Sequence, residues 1–271
     1  MSELILGKDT SYPDKYSPEI LFPIPRSKGR DNIGKNVEYF GYDIWNCYEV
    51  SWLNMKGKPE VRIFEIYVPA SSPNIIESKS LKLYLFSLNN EKFESEAELL
   101  KIVKSDLEAK IGSTTEIISR KISDYDNEKI YKPEGESIDD IDIEVDYENA
   151  ESAEIKFESA EIVEESLYSD LHKTNCLITH QPDWASVMIS YRGAKIERAS
   201  LLNYIVSHRN ANMFHEHSVE KIYADLISTG KFQDLTIYAR YTRRGGLDIN
   251  PIRSNKSINI DHSINKRFAR Q

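Results

Sequence analysis

An α+β fold, with helices on one face of an antiparallel sheet, is predicted by three features of the sequence. The second half reads strand, strand, helix, helix, strand: NCLITH and ASVMISYRG, then IERASLLNYIVSHR and HEHSVEKIYADLISTG, then DLTIYARYTRRGG. The first half carries a weaker version of the same order. A chain of 271 residues with 40% hydrophobic and 10% aromatic content suits one large domain or two related halves, and not a disordered or fibrous protein. The expected divisions are an N-terminal module over residues 1–132, an acidic link over 133–170, and a C-terminal module over 171–271.

The opening sixty residues, with Pro23 and Pro25, read as an irregular arm with one strand, because proline denies a donor to a central ladder. EVRIFEIYVPA sets Val61, Ile63 and Glu65 against Arg62, Phe64 and Ile66, a strand closed by Pro69. SLKLYLFSLNN sets Leu81, Leu83 and Leu85 against Lys82, Tyr84 and Phe86 and is expected as a second strand ending in an Asn-Asn turn. A capping box, Ser95 with Glu98, opens an amphipathic helix through Leu99, Ile102, Val103 and Leu107, stopped by Gly112. TTEIISRKIS and SIDDIDIEVDYE follow as strands. Between Glu134 and Asp170 the only basic side chain is Lys156, so that stretch is expected to be a solvated link plus one strand face.

Charge and composition exclude several classes. A net charge of -9 repels a phosphate backbone, so no direct nucleic-acid partner is expected, and the basic NKRFARQ reads as a solvated tail. No window offers a membrane span and the first residues lack a signal-peptide pattern, so a cytoplasmic location is the expectation. Two cysteines, Cys47 and Cys176, make no disulfide framework and no zinc spacing, and no metal is expected. The dinucleotide and P-loop glycine fingerprints are absent.

Four clusters bear on chemistry. In TNCLITHQPDWASV a free cysteine is by default a packing residue. If Thr174 to Thr179 is a strand, Cys176 and Ile178 share a face, while Pro182 ends the ladder and leaves Asp183 in a turn near the strand's edge. Cys176 is then either a core side chain or a nucleophile, and Asp183 either a turn cap or its acid. In FHEH, Glu216 either stabilises a helix start or binds a donor-donor edge of a heterocycle, with His215 as donor or stacking surface. Arg243 and Arg244 before Gly245 and Gly246 suit either a solvated strand end or a phosphate contact. IIESKSLKLY, with Glu77, Ser78, Lys79 and Lys82, is compatible with an edge-strand device against aggregation.

ESKSLKLY resembles the signature of the QueF family, NADPH-dependent reductases of 7-cyano-7-deazaguanine (preQ0) in queuosine biosynthesis. LFPIPR, DIWNCYEVSWLN, SPNIIESKSLKLY, NCLITHQPDWASV, FHEHSVEKIYADL and YARYTRRGGLDINPIRSN each fit its long, two-module form. The extended acidic ENAESAEIKFESAEIVEES is the main departure. The resemblance implies a tunnelling fold (T-fold) of ββααββ modules, NADPH as co-substrate without a Rossmann domain, preQ0 as the small-molecule partner, and no metal. It implies that Cys176 attacks the nitrile carbon to form a thioimide and Asp183 protonates the nitrogen. Two NADPH per nitrile would then give the aminomethyl product preQ1. It assigns substrate binding to Ile76, Glu77, Ser78, His215 and Glu216, and cofactor binding to Ser78, Lys79, Arg244 and Gly245. A barrel built from modules makes a homodimer the expectation. The competing readings are a thiol nitrilase or a T-fold purine or pterin hydrolase, and a non-catalytic purine-binding module.

Overall fold

The computed structural model describes residues 12–31, 33, 37–147 and 153–271. The start of the expected arm, 1–11, and the acidic residues 148–152 lie outside the described residues. The chain divides into two compact units, each assembled from three stretches. The first comprises Met1–Gly29, Asp43–Lys129 and Arg243–Asp248, and the second Arg30–Tyr42, Ile130–Thr242 and Ile249–Gln271.

In the first unit β1 (Pro23–Pro25) pairs antiparallel with the three-residue β4 (Asn74–Ile76), and the short helix α1 (Ser27–Arg30) follows β1. Prolines are tolerated there because a two-stranded ribbon leaves each strand with an open edge. β2 (Phe40–Leu53), which contributes Asp43–Leu53 here, turns through Asn54–Lys58 into β3 (Pro59–Pro69), and β3 pairs antiparallel with β5 (Glu116–Arg120). Helices α2 (Ser78–Ser87) and α3 (Glu96–Ile111) lie between them in sequence. The Ser95 hydroxyl caps α3 by accepting from the Glu98 N–H, and Gly112 closes it at a φ of 76°. Leu99, Val103, Leu107 and Ile111 form its buried stripe.

The expected strand at SLKLYLFSLNN is corrected: it is α2. The Glu77 carboxylate accepts from the backbone N–H of Lys79 at 2.9 Å and of Ser80 at 2.6 Å, which starts a helix where a strand would leave those donors to a neighbour. Leu81, Tyr84, Leu85 and Leu88 are buried, an i, i+3, i+4, i+7 set.

The second unit holds the order β10-β9-β8-β7-β6. Its elements are β6 (Glu136–Ser137), β7 (Phe157–Asn175), β8 (Pro182–Ile196), α4 (Arg198–Ser207), α5 (His215–Ser228), β9 (Phe232–Tyr241) and β10 (Leu247–Ser254). From β7 the order is ββααββ, as expected of the tunnelling fold, and the α+β class holds. Ala185, Val187, Ile189 and Tyr191 of β8 and Leu235, Ile237, Ala239 and Tyr241 of β9 alternate onto one sheet face. Leu201, Leu202 and Ile205 of α4 and Val219, Ile222, Tyr223 and Leu226 of α5 close over that face as one core. Each such side chain contributes about 1.5–3 kcal/mol on leaving water, as an upper figure.

Several expectations change in this unit. The segment 133–170 is not a link throughout, since Phe157–Asp170 is the first part of β7, paired to β8. Glu158, Glu161 and Glu164 are exposed while Glu165 accepts from the Tyr191 hydroxyl, and so acidic a strand has the composition of a link. Among the described residues of SIDDIDIEVDYE only Ser137, in β6, lies in a strand; Ile141, Ile143 and Val145 do pack on the core, but their backbone finds no ladder. β7 ends at Asn175, so Cys176 is not on a strand. Pro182 opens β8 opposite Asn175, where a missing N–H costs least, and Asp183 lies in that strand opposite Thr174 and not in a turn. β10, around Asn-Pro-Ile-Arg, is a strand beyond the order strand, strand, helix, helix, strand, and all eight of its positions are buried. NKRFARQ is no solvated tail: Phe268 is buried, and Tyr131 bridges to it with its N–H donating to the Arg267 carbonyl.

Candidate active site

The hairpin between β7 and β8 fixes the cysteine through its backbone. The Cys176 N–H donates to the Gln181 carbonyl at 2.8 Å, and the Cys176 carbonyl accepts from the His180 N–H at 3.0 Å. His180 closes this loop at a φ of 57°, a left-handed conformation that a non-glycine residue adopts only when its surroundings enforce it. The His180 ring meets the Asn212 side chain at 3.0 Å, one of the contacts that hold it there. On the other side Asn175 exchanges two backbone hydrogen bonds with Ala211 and Met213, which lead directly into α5. The loop bearing Cys176 is thereby tied to the start of the helix bearing His215 and Glu216.

Cys176 is 7% exposed and Asp183 5%, so both sit under a thin cover and not deep in the core. His215 Nδ1 lies 3.1 Å from the Ile249 carbonyl, which only accepts, so Nδ1 carries the hydrogen. That leaves Nε2 facing the Asp183 carboxylate at 3.6 Å. Glu216 is buried in the first turn of α5, where the helix dipole favours its charge. Lys173 donates to the Asn175 side chain and the Arg209 carbonyl, and burial followed by the nearby Arg209 charge holds its pKa below the usual lysine value. Arg209 in turn stands over the Trp184 ring.

No sequence signal marks the support behind His215. Tyr241 stacks on its ring, centroids 3.7 Å apart and planes 5° from parallel. The Tyr241 hydroxyl is 3.5 Å from His172 Nε2, which also meets the Ser218 hydroxyl at 3.0 Å. Burial pushes the pKa of His172 down to about 3, so its ring is neutral at physiological pH. The alternation of YARY places Tyr241 on the core face but says nothing of the stack.

Ile76, Glu77, Ser78, Lys79, Arg244 and Gly245 belong to the first unit; Cys176, Asp183, His215 and Glu216 belong to the second. Glu77 is 2% exposed and spends one lone pair of each oxygen on capping α2, leaving the others for a ligand. Arg244 to Leu247 form a tight turn, with Gly245 and Gly246 at φ of 63° and 77°, and the Arg244 N–H donates to the Leu247 carbonyl. A Cβ on Gly245 would touch the Lys82 side chain at 3.5 Å, so the bare turn lies against α2 beside its cations. Ser78, Lys79, Lys82 and Arg244 give a hydroxyl and three cations, a donor set that fits the phosphates of a dinucleotide. Arg243 stacks over the Tyr48 ring instead.

Cys47 is buried, and burial first, then the Asp248 charge, pushes its thiol well above the usual range, which is the environment of an inert packing cysteine. Among the described residues no group of three or more His, Cys, Asp and Glu is arranged to hold a metal ion. Nor is any described helix long and apolar enough to cross a membrane.

Residues 12–118 match the family model described as nitrile reductase, 7-cyano-7-deazaguanine-reductase N-term, and residues 182–259 match the one described as QueF-like protein. The first range contains Ile76 to Lys79, and the second contains Asp183, His215, Glu216, Arg244 and Gly245. Cys176 precedes the second range, within the hairpin that leads into it. A solved structure described as the archaeosine synthase QueF-Like in the apo form is 14% identical, with 36% of this chain and 96% of that chain aligned at a TM-score of 0.31.

Proposed function

The chain belongs to the QueF family in its two-module form, whose N-terminal model is that of a nitrile reductase, and from this premise we propose that it reduces the nitrile of preQ0 to the aminomethyl group of preQ1 with two NADPH. The observation that carries the reading is the hairpin of the second unit. It holds a thiol at Cys176 beside a strand bearing Asp183, whose carboxyl group faces, at 3.6 Å, the Nε2 of a histidine anchored through its Nδ1.

Nitrile carbon is a weak, soft electrophile that suits a thiolate, and the nitrogen must gain a proton as the adduct forms. In our assignment the Cys176 sulfur bonds to the nitrile carbon while one π pair moves onto nitrogen and takes the proton from Asp183. The product is a thioimide. When bound, the nicotinamide supplies hydride equivalents, one to the thioimide carbon and one to the imine left after the Cys176 thiolate departs. Atoms and electrons balance as one nitrile, two NADPH and two protons giving one amine and two NADP⁺. Glu216 and Glu77 accept from the donor edge of the deazapurine, Ile76 and His215 flank it, and Ser78 contributes a hydroxyl. Ser78, Lys79, Arg244 and Gly245 hold the cofactor phosphates. We further propose a homodimer.

Mixing the protein with preQ0 and NADPH should oxidise two cofactors per nitrile consumed. Ammonia release without NADPH oxidation would replace this reading with a nitrilase, and binding without turnover would leave a purine-binding module.

A further inference from the structure

Tyr241 is held through its backbone N–H, its backbone carbonyl and its ring hydroxyl. Its N–H donates to the Asn250 side-chain oxygen at 2.9 Å, and its carbonyl accepts from Gln271 Nε2 at 2.8 Å. Its hydroxyl faces His172 Nε2, itself pinned by Ser218. Gln271 is fixed as well, since its Oε1 accepts from the Phe268 N–H at 3.1 Å. One amide group therefore both anchors the 266–271 segment and grips the end of β9. Phe268 under the Arg240 guanidinium, and Arg270 on Asp170, keep that segment in place.

Core packing requires Tyr241 to be buried, but it does not require its ring to lie coplanar with an imidazole 3.7 Å away. The face it supports is that of His215, and the edge of the same ring carries Nε2 toward Asp183 and Nδ1 toward Ile249. Rotation about the Cβ–Cγ bond of His215 would break both contacts, and the stacked phenol blocks that rotation.

We propose that Tyr241 is a positioning residue, locked by Asn250, His172 and the Gln271 amide, which holds the His215 ring in the plane that serves Asp183. The assignment deepens the reductase reading and rests on it for its kinetic consequence. A misplacement of about 1 Å costs up to about a hundredfold in rate, so a loosened His215 lowers turnover more than it lowers binding.

The experiment pairs kinetics with a geometric readout in the full chain. Tyr241→Leu removes the stack and is expected to lower kcat on preQ0 about tenfold or more, with a smaller change in KM. Tyr241→Phe keeps the stack and recovers most of that loss. Gln271→Glu replaces the amide donor with an oxygen that repels the Tyr241 carbonyl, and produces a smaller loss in the same direction. In protein labelled at histidine Cε1, the His215 resonance, assigned with His215→Asn, is shifted upfield by the phenol ring; the shift is lost in Tyr241→Leu and kept in Tyr241→Phe. Wild-type kcat in Tyr241→Leu, or an unmoved His215 resonance, overturns the proposal. An inactive wild type overturns the reductase reading instead, and the resonance then decides the positioning of His215 alone.

Discussion

Asp183 and Cys176 sit in neighbouring backbone settings, one in a strand and one in a loop, and each invites a distinct single-residue test. Cys176→Ala is expected to abolish the covalent mass increase seen after incubation with preQ0 alone; an adduct that survives would place the nucleophile elsewhere. Asp183→Asn keeps the shape but holds no acidic proton, and is expected to lower kcat about 10²–10⁴-fold, the usual worth of a general acid. A smaller loss would move that role to His215. Glu77 serves its own unit regardless of ligand. Glu77→Ala should lower stability by about 0.5–2 kcal/mol in urea unfolding without substrate, because two N–H donors of α2 lose their acceptor. Unchanged unfolding would show that the cap contributes nothing.

His172 extends the residue scale to pH. Its folded pKa, depressed by burial to about 3, lies below the ordinary 6.5 of an exposed histidine. Between those values the unfolded chain binds the proton and the folded chain does not, so stability rises with pH across that window. The contribution is complete above pH 6.5 and fades as the pH falls toward 3. From pH 7 to pH 4.5 this one group accounts for a loss of roughly 2–3 kcal/mol. His172→Gln should flatten that part of the curve, and equal slopes in the two proteins would contradict the buried neutral ring.

At the scale of elements, legibility followed periodicity and failed where a cap or a buried polar partner decided. The Ser95 box, the stripe of α3 and the alternation of β3 and β8 were readable because each repeats over several residues. α2 misled because Leu81, Leu83 and Leu85 satisfy a period of two while Leu81, Tyr84, Leu85 and Leu88 satisfy a helical one, and only the Glu77 cap chooses between them. β10 was invisible because its buried polar residues are satisfied by partners outside the strand: Asn250 by the Tyr241 backbone N–H, Arg253 by the Glu220 carboxylate. The identities of the candidate site residues came from motif and not from periodicity, and the stack behind His215 came from neither. Gly41 provides an element-level test. It has a φ of 119°, and a Cβ there would fall 2.2 Å from the Ile252 carbonyl, so β2 passes β10 at this point only without a side chain. Gly41→Ala is expected to cost about 3 kcal/mol or more, read as a lower urea midpoint or loss of soluble protein.

At the scale of the whole molecule, the two units exchange segments, and a cut in the middle of the sequence does not respect them. The first unit needs Arg243–Asp248, supplied from far along the chain, and the second needs Arg30–Tyr42. In the first unit Asp248 accepts from the Asn46 amide at 2.7 Å and from the Tyr48 hydroxyl at 2.6 Å. In the second, Arg30 and Arg253 close on the fully buried Glu220 at 2.7 and 2.8 Å. A fragment of residues 1–132 therefore keeps Asn46 and Tyr48 without the Asp248 carboxylate, and one of 133–271 keeps Glu220 with Arg253 but without Arg30. Breaking a buried, hydrogen-bonded charge network costs about 3–5 kcal/mol, a large share of what holds a domain together. Neither fragment is expected to show a cooperative thermal transition, whereas the full chain does. Asp248→Asn, in the intact chain, should reproduce part of the deficit of fragment 1–132, because a neutral amide serves one of the two donors less well. A fragment 1–132 that melts cooperatively near the full-length midpoint would mean that the first unit folds without its distant strand.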